Sequence, residues 1–115
     1  MEIIDSLFTI YFFGGIALFL SGIVMYIFPP KRRNLLYGYR TSRSAKSQAA
    51  WDFSQLYASK RLIGSGLALL AFGGLLNLIN IPEEYAVIVM LSLMIIAAVY
   101  IFYATEKALK TKFPD

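Results

Sequence analysis

Three stretches without a single Asp, Glu, Lys or Arg constrain this chain more than anything else in it: residues 7–28, 62–79 and 85–103. At about 1.5 Å per helical residue, the first reaches roughly 33 Å and the other two roughly 27–29 Å. The first length crosses a hydrocarbon core of ~30 Å with some tilt, and the others cross a thin or locally compressed one. The apolar residues come in blocks, not in the 3.6-residue spacing of a water-facing helix. With 58% hydrophobic residues in 115, a soluble domain would have too small a core to hide them. The expected fold is an all-α membrane protein in one domain, residues 1–115. It has three transmembrane helices and a cytoplasmic amphipathic helix between the first and the second.

The punctuation agrees. Pro29-Pro30 stops the first helix by removing backbone donors and clashing with the preceding turn. Lys31-Arg32-Arg33 then anchors its end among headgroups. Residues 80–84 form a short turn, and residues 104–115 a charged tail. The opening Glu2 and Asp5, and a first block longer than a signal core, argue against a cleavable signal peptide.

Charge placement sets the expected orientation. All 11 Lys and Arg fall in the loop 29–61 or in the tail, which three spans put on one side. The other side holds Glu2, Asp5, Glu83 and Glu84. By the positive-inside rule, loop and tail are cytoplasmic and the N-terminus faces out.

Other function classes lose ground on residue types. The chain has no His and no Cys, so the commonest general base, the commonest metal ligand and any disulfide are missing. Only Asp52 lies near the polar loop, which leaves no nucleophile–base pair. No enzyme activity, metal or cofactor is expected. The basic loop is explained by membrane orientation, so nucleic acid is not an expected partner. The spans carry no charged residue, which disfavours a proton or ion transporter.

Small residues mark the helix contacts. Gly15 and Gly22 share one face of the first span, as do Gly66 and Gly73 of the second. Such stripes let backbones approach closely in lipid. They fit packing within one bundle better than a dimer interface, although a homo-oligomer is compatible with them. In the third span Ser92 and Ala97-Ala98 play this part. Asn77 and Asn80 extend the second stripe and are expected to face the bundle or the outer interface. The aromatics near span ends, from Tyr11-Phe12-Phe13 to Tyr103, read as an interfacial belt.

Residues 34–51 are the one long polar insert. Ser44 is read as the N-cap of a helix over residues 45–60. Ala45, Ala49, Phe53 and Leu56, flanked by Tyr57, form its apolar side, facing the membrane surface or the bundle ends. Trp51 points the opposite way, so either the segment 38–43 folds back over it or it meets another molecule. Gly38 supplies the sharp turn that folding back requires. Arg40 is placed to stack on Trp51, to pair with Asp52, or to meet a lipid phosphate.

The order Asn34, Gly38-Tyr39-Arg40-Thr41, Ser44 and Trp51, just before an apolar helix, resembles the signature loop of the SdpI family. The resemblance covers roughly residues 34–76, with Gly64 or Gly66 where a glycine commonly opens the following helix. Two departures stand out: Ser42 where many members carry Pro, and Ser47-Gln48 where an Asn-Glu-like pair is frequent. The resemblance implies a helical inner-membrane protein that protects its cell against a toxin peptide that collapses the membrane potential. It also implies a signalling output in some members, where the cytoplasmic loop holds a transcriptional repressor at the membrane. The expected partners are therefore the lipid bilayer, a toxin peptide, and a cytoplasmic repressor or another membrane protein. Asn34, Gly38, Tyr39, Arg40, Thr41, Ser44 and Trp51 are the expected partner-binding motif. A rival reading, motivated by the glycine stripes and by Trp51, is a small accessory subunit of a larger membrane assembly.

Overall fold

A computed structural model describes residues 2–34 and 36–114, with side chains from Thr9 onward. Three helices account for most of it: α1 (Glu2–Ile27), α2 (Gln48–Leu76) and α3 (Glu83–Lys112). A single 3-10 turn, Ser44–Lys46, precedes α2. All three helices are long and apolar enough to cross a membrane.

The distribution of side chains is that of a protein dissolved in lipid. Large apolar residues such as Leu20, Leu75, Ile95 and Val99 lie exposed on the outside of the bundle. The interior holds Ser54, Gln55, Ser59 and Thr105 beside Tyr11, Trp51 and Leu109. In water this arrangement would leave a continuous apolar surface unsatisfied. Against acyl chains it costs nothing.

Glycine holds α1 against α2. A Cβ on Gly66 would stand 2.7 Å from Phe19 Cα, and one on Gly22 2.7 Å from Ile63 N. On Gly15 it would stand 2.9 Å from Leu70 N, and on Gly73 it would run into the Tyr11 carbonyl. The four stripe glycines thus all line a single α1–α2 seam within the chain, with Gly15 and Gly66 opposite each other, Gly22 against Ile63 and Gly73 against Tyr11. Tyr11 belongs to that seam and is fully buried with Leu69, Ala86 and Met90. The expected place for Tyr11 in an interfacial belt is therefore corrected: the missing side chain of Gly73 makes room for it inside. The third helix also packs differently from expectation. Its buried positions are Ala86, Met90, Ile101, Thr105 and Leu109. Ser92 is exposed, its hydroxyl donating to Ile88 O of its own helix, and Ala98 is exposed too.

The molecule is 52 Å long, about 20 Å more than a ~30 Å hydrocarbon core. The excess lies at the loop-bearing end, where α2 and α3 run past their apolar stretches. The residues read as a tail continue α3 to Lys112, with Lys110 and Lys112 in the last turn favouring its dipole. At the other end α2 stops at Leu76, three residues short of the expected 79. Asn77 is its C-cap, with its N–H on Gly73 O. Asn77 and Asn80 are both exposed there.

Candidate functional site

The residues singled out between 34 and 51 form one ordered cap over the end of the bundle, built around the first turns of α2. Those turns are not a separate surface helix. The ladder runs unbroken from Gln48 through Leu76. Its cap is Ser47, whose Oγ accepts from Ala50 N at 3.0 Å. Ser44 is not the N-cap. It sits in the 3-10 turn, bonded reciprocally to Thr41: Thr41 N donates to Ser44 Oγ at 2.9 Å and Ser44 N to Thr41 Oγ1 at 3.1 Å. The backbone explains the shift, because Ser47 is extended (φ −152°, ψ 164°) and the helix can only begin after it.

The buried side of this helical segment is Ala50, Trp51, Ser54, Gln55, Ala58 and Ser59. That is the reverse of the expected apolar face. Ala49 and Leu56 are exposed, and Phe53 packs edge-on against Phe113 at the end of α3, 5.9 Å between ring centres. A helix that continues straight from a membrane span inherits its orientation from the span. It cannot roll to lay a second face on the membrane.

The connecting chain folds back over the Trp51 side. Trp51 is 1% exposed, and its Nε1–H donates to Pro30 O at 2.6 Å. The Pro29-Pro30 stop at the end of α1 thus also provides the acceptor for the buried indole. Asn34 shapes the next turn: its Oδ1 accepts from Leu36 N (2.9 Å) and Tyr37 N (2.7 Å), and its Nδ2 donates to Arg32 O (2.9 Å). The Tyr37 hydroxyl donates to Phe28 O at 2.7 Å, satisfying a carbonyl left open at the end of α1. Gly38 follows at φ +95°, where a side chain would be strained. A Cβ there would also stand 2.5 Å from Gln55 Oε1 and from Pro30 Cγ.

Gln55 completes the closure. Its Oε1 accepts from Tyr39 N and its Nε2 donates to Tyr39 O, both at 2.7 Å. The amide thereby pairs with the loop backbone as a neighbouring strand would. The Tyr39 hydroxyl reaches α3 at Phe102 O, 3.3 Å away. Burial first, then the charge of Glu106 and a hydrogen bond with it, push the Tyr39 phenol far above its ordinary value, so it remains a neutral donor. Arg43 pairs with Glu106 at 3.6 Å. Loop, α2 and α3 are therefore tied at one end, the end where the basic residues gather.

Gln55, Tyr37 and Glu106 carry much of this closure, yet none was singled out by reading the sequence. The available signal was positional: Gln55 lies one helical turn after Trp51 and so shares its face. Arg40 behaves differently from its neighbours in the motif. It is exposed and borders a shallow basin of about 570 Å³ with Arg33, Thr41, Ser42 and Trp51. Among the described residues it makes no hydrogen bond, ring stack or ion pair, and Asp52 is bonded to Gln48 instead.

A lipid-facing bundle of three membrane-length helices, closed at one end by an ordered polar cap, defines a multi-pass integral membrane protein. Residues 31–104 match the SdpI/YfhL protein family, and the chain belongs to that family. It is 39% identical over 97 residues to the YfhL protein of Bacillus subtilis (strain 168), covering 84% of this chain and 83% of that protein. No solved structure matches it.

Proposed function

We propose that this protein protects its cell against a membrane-active toxin peptide from within the inner membrane. In this reading the basic cap faces the cytoplasm and the lipid-embedded faces and outer turn meet the toxin. One observation carries the reading: the family match takes in the whole signature loop, residues 34–51, and there Asn34, Tyr39, Thr41, Ser44 and Trp51 are engaged in hydrogen bonds that close the cap while Arg40 is left pointing outward. Asn34, Gly38, Tyr39, Thr41, Ser44 and Trp51 hold the cap together, and Arg40 is the contact offered to a partner. That partner is a cytoplasmic protein or a second membrane protein with a carboxylate to present, since a guanidinium pairs with one through two parallel hydrogen bonds. Burial of Trp51 against Pro30 removes one of the two motives for the accessory-subunit reading.

The test is expression in a toxin-sensitive bacterium carrying a membrane-potential dye. Cells making this protein should keep their potential when challenged with a cognate toxin peptide, while control cells depolarise. A broad panel of membrane-active toxin peptides against which it gives no protection would overturn the reading.

A further inference from the structure

We infer that the cleft between α2 and α3 is a binding site for one anionic phospholipid. Its phosphate lies at Lys60 and Arg61 and an acyl chain runs along Gly64, Ala68 and Phe72. The inference is independent of any toxin and needs only that the helices lie in a bilayer.

The cleft exists because α2 presents small side chains on this side. A Cβ on Gly64 would meet nothing within 4 Å, whereas one on Gly66, two residues on, would collide with the α1 backbone. One glycine of α2 closes a helix contact and the other leaves a gap. The gap has a volume of about 430 Å³ and a mostly apolar lining. From Arg61 to Phe72 it follows roughly 16 Å of helix, about half of a ~30 Å hydrocarbon core. That is the depth of one leaflet, and the depth an acyl chain fills.

The charge is at one end only. Lys60 and Arg61 border the cleft where α2 becomes apolar. Arg61 is held in place from two sides. Its guanidinium lies 4.7 Å from the centre of the Tyr57 ring, and its Nη1 donates to the Tyr100 hydroxyl at 3.4 Å. Among the described residues neither Lys60 nor Arg61 has a carboxylate partner. Two uncompensated cations at headgroup depth, above a one-leaflet apolar slot, complement an anionic lipid in both charge and shape. A second copy of the chain would have to bring acids to this depth, and its spans hold none.

The experiment is native mass spectrometry of the full chain, released from detergent containing equimolar phosphatidylglycerol and phosphatidylcholine. The wild type should retain one phosphatidylglycerol in preference to phosphatidylcholine. The Lys60→Gln/Arg61→Gln variant should lose that preference by on the order of tenfold. Gly64→Phe should fill the slot and release both lipids. Gly74→Phe, also placed where a Cβ meets nothing within 4 Å but outside the cleft, should retain lipid like the wild type. Helicity by circular dichroism verifies each variant's fold, and the paired Gln substitutions lie on an exposed surface where folding is undisturbed. Equal retention of the two lipids by the wild type would overturn the inference. So would unchanged retention in Gly64→Phe, or a dimer mass in place of bound lipid.

Discussion

The two halves of α2 pack by opposite rules although they are one helix. Beyond Leu62 the buried positions are Gly66, Leu69 and Gly73, and contact is made by deleting side chains. Before it they are Ala50, Trp51, Ser54, Gln55, Ala58 and Ser59, and beside the two small alanines the loop is held by the hydrogen bonds of Trp51 to Pro30 and of Gln55 to Tyr39. The surrounding medium accounts for the difference. Between two helices in lipid, apolar burial gains nothing over acyl chains, so close backbone approach is the main attraction left. At the cap, water competes for every polar group, so a hydrogen bond must be made inside or its loss is felt in full. The seam is therefore sensitive to added volume and the cap to lost polar partners.

Trp51→Ala gives the largest expected effect. Removing a buried aromatic costs about 3–5 kcal/mol, and here it also leaves Pro30 O without its donor. Thermal unfolding in detergent should show a large drop, and Trp51→Phe should recover most of the packing but not the bond. If Trp51→Phe matched the wild type, the polar rule for the cap would fail. Gly66→Leu comes next. Overpacking typically costs about 1–3 kcal/mol, occasionally more, and the Phe19 backbone cannot retreat as a side chain could. The same substitution at Gly64 should cost far less, because that position opens on the cleft. Equal losses at the two sites would break the seam account.

Gln55→Leu probes the cap with little change in volume. Tyr39 N loses its partner and Tyr39 O keeps only the longer bond from Ser44 Oγ at 3.5 Å, a loss of about 1–3 kcal/mol for a buried unsatisfied group. Hydrogen exchange at the Tyr39 amide should accelerate while the α1–α2 seam stays protected. Tyr39 adds a pH dependence. Its phenol is raised in the folded state, so the folded chain keeps a proton that the unfolded chain releases above pH ~10. Stability from this group is full below that pH and falls as pH rises beyond it. Tyr39→Phe should flatten the slope in alkaline denaturation.

The helices were legible in the sequence because uncharged runs of membrane length admit few other structures. The glycine stripes were legible for a related reason: a seven-residue spacing fixes a face whatever the partner. Where the reading went wrong, a face was assigned by hydrophobicity alone. Ala49, Phe53 and Leu56 looked like the buried side, whereas of the two readings offered for Trp51 the loop folding back over it is the one found. The continuous helix below them had already set the opposite orientation. Tyr11 was misplaced because its burial depends on Gly73 in another helix. Ser44 and Ser47 are both reasonable caps, and what separates them is the extended backbone at Ser47 together with the bonds that tie Ser44 to Thr41. Gln55 escaped because a lone amide carries no motif. Its role exists only once the loop has turned at Gly38 and brought the Tyr39 backbone to it.

Arg40→Ala should have the smallest effect on stability and the most informative one on function. The side chain is exposed, and among the described residues it holds nothing, so its removal should shift unfolding by less than about 0.5 kcal/mol. Its neighbours Thr41 and Ser44 hold each other, and the cap should keep its shape without it. If the cap acts only as a structural plug, protection from depolarisation at equal protein level should then be untouched. If Arg40 is a partner contact, protection should fall with no change in melting temperature, and Arg40→Lys should restore little, because an ammonium cannot reproduce the two parallel bonds of a guanidinium. A fall in melting temperature that tracks the fall in protection would instead return Arg40 to the set of residues that hold the cap. The contrast between the halves of α2 would then extend to every position of the motif.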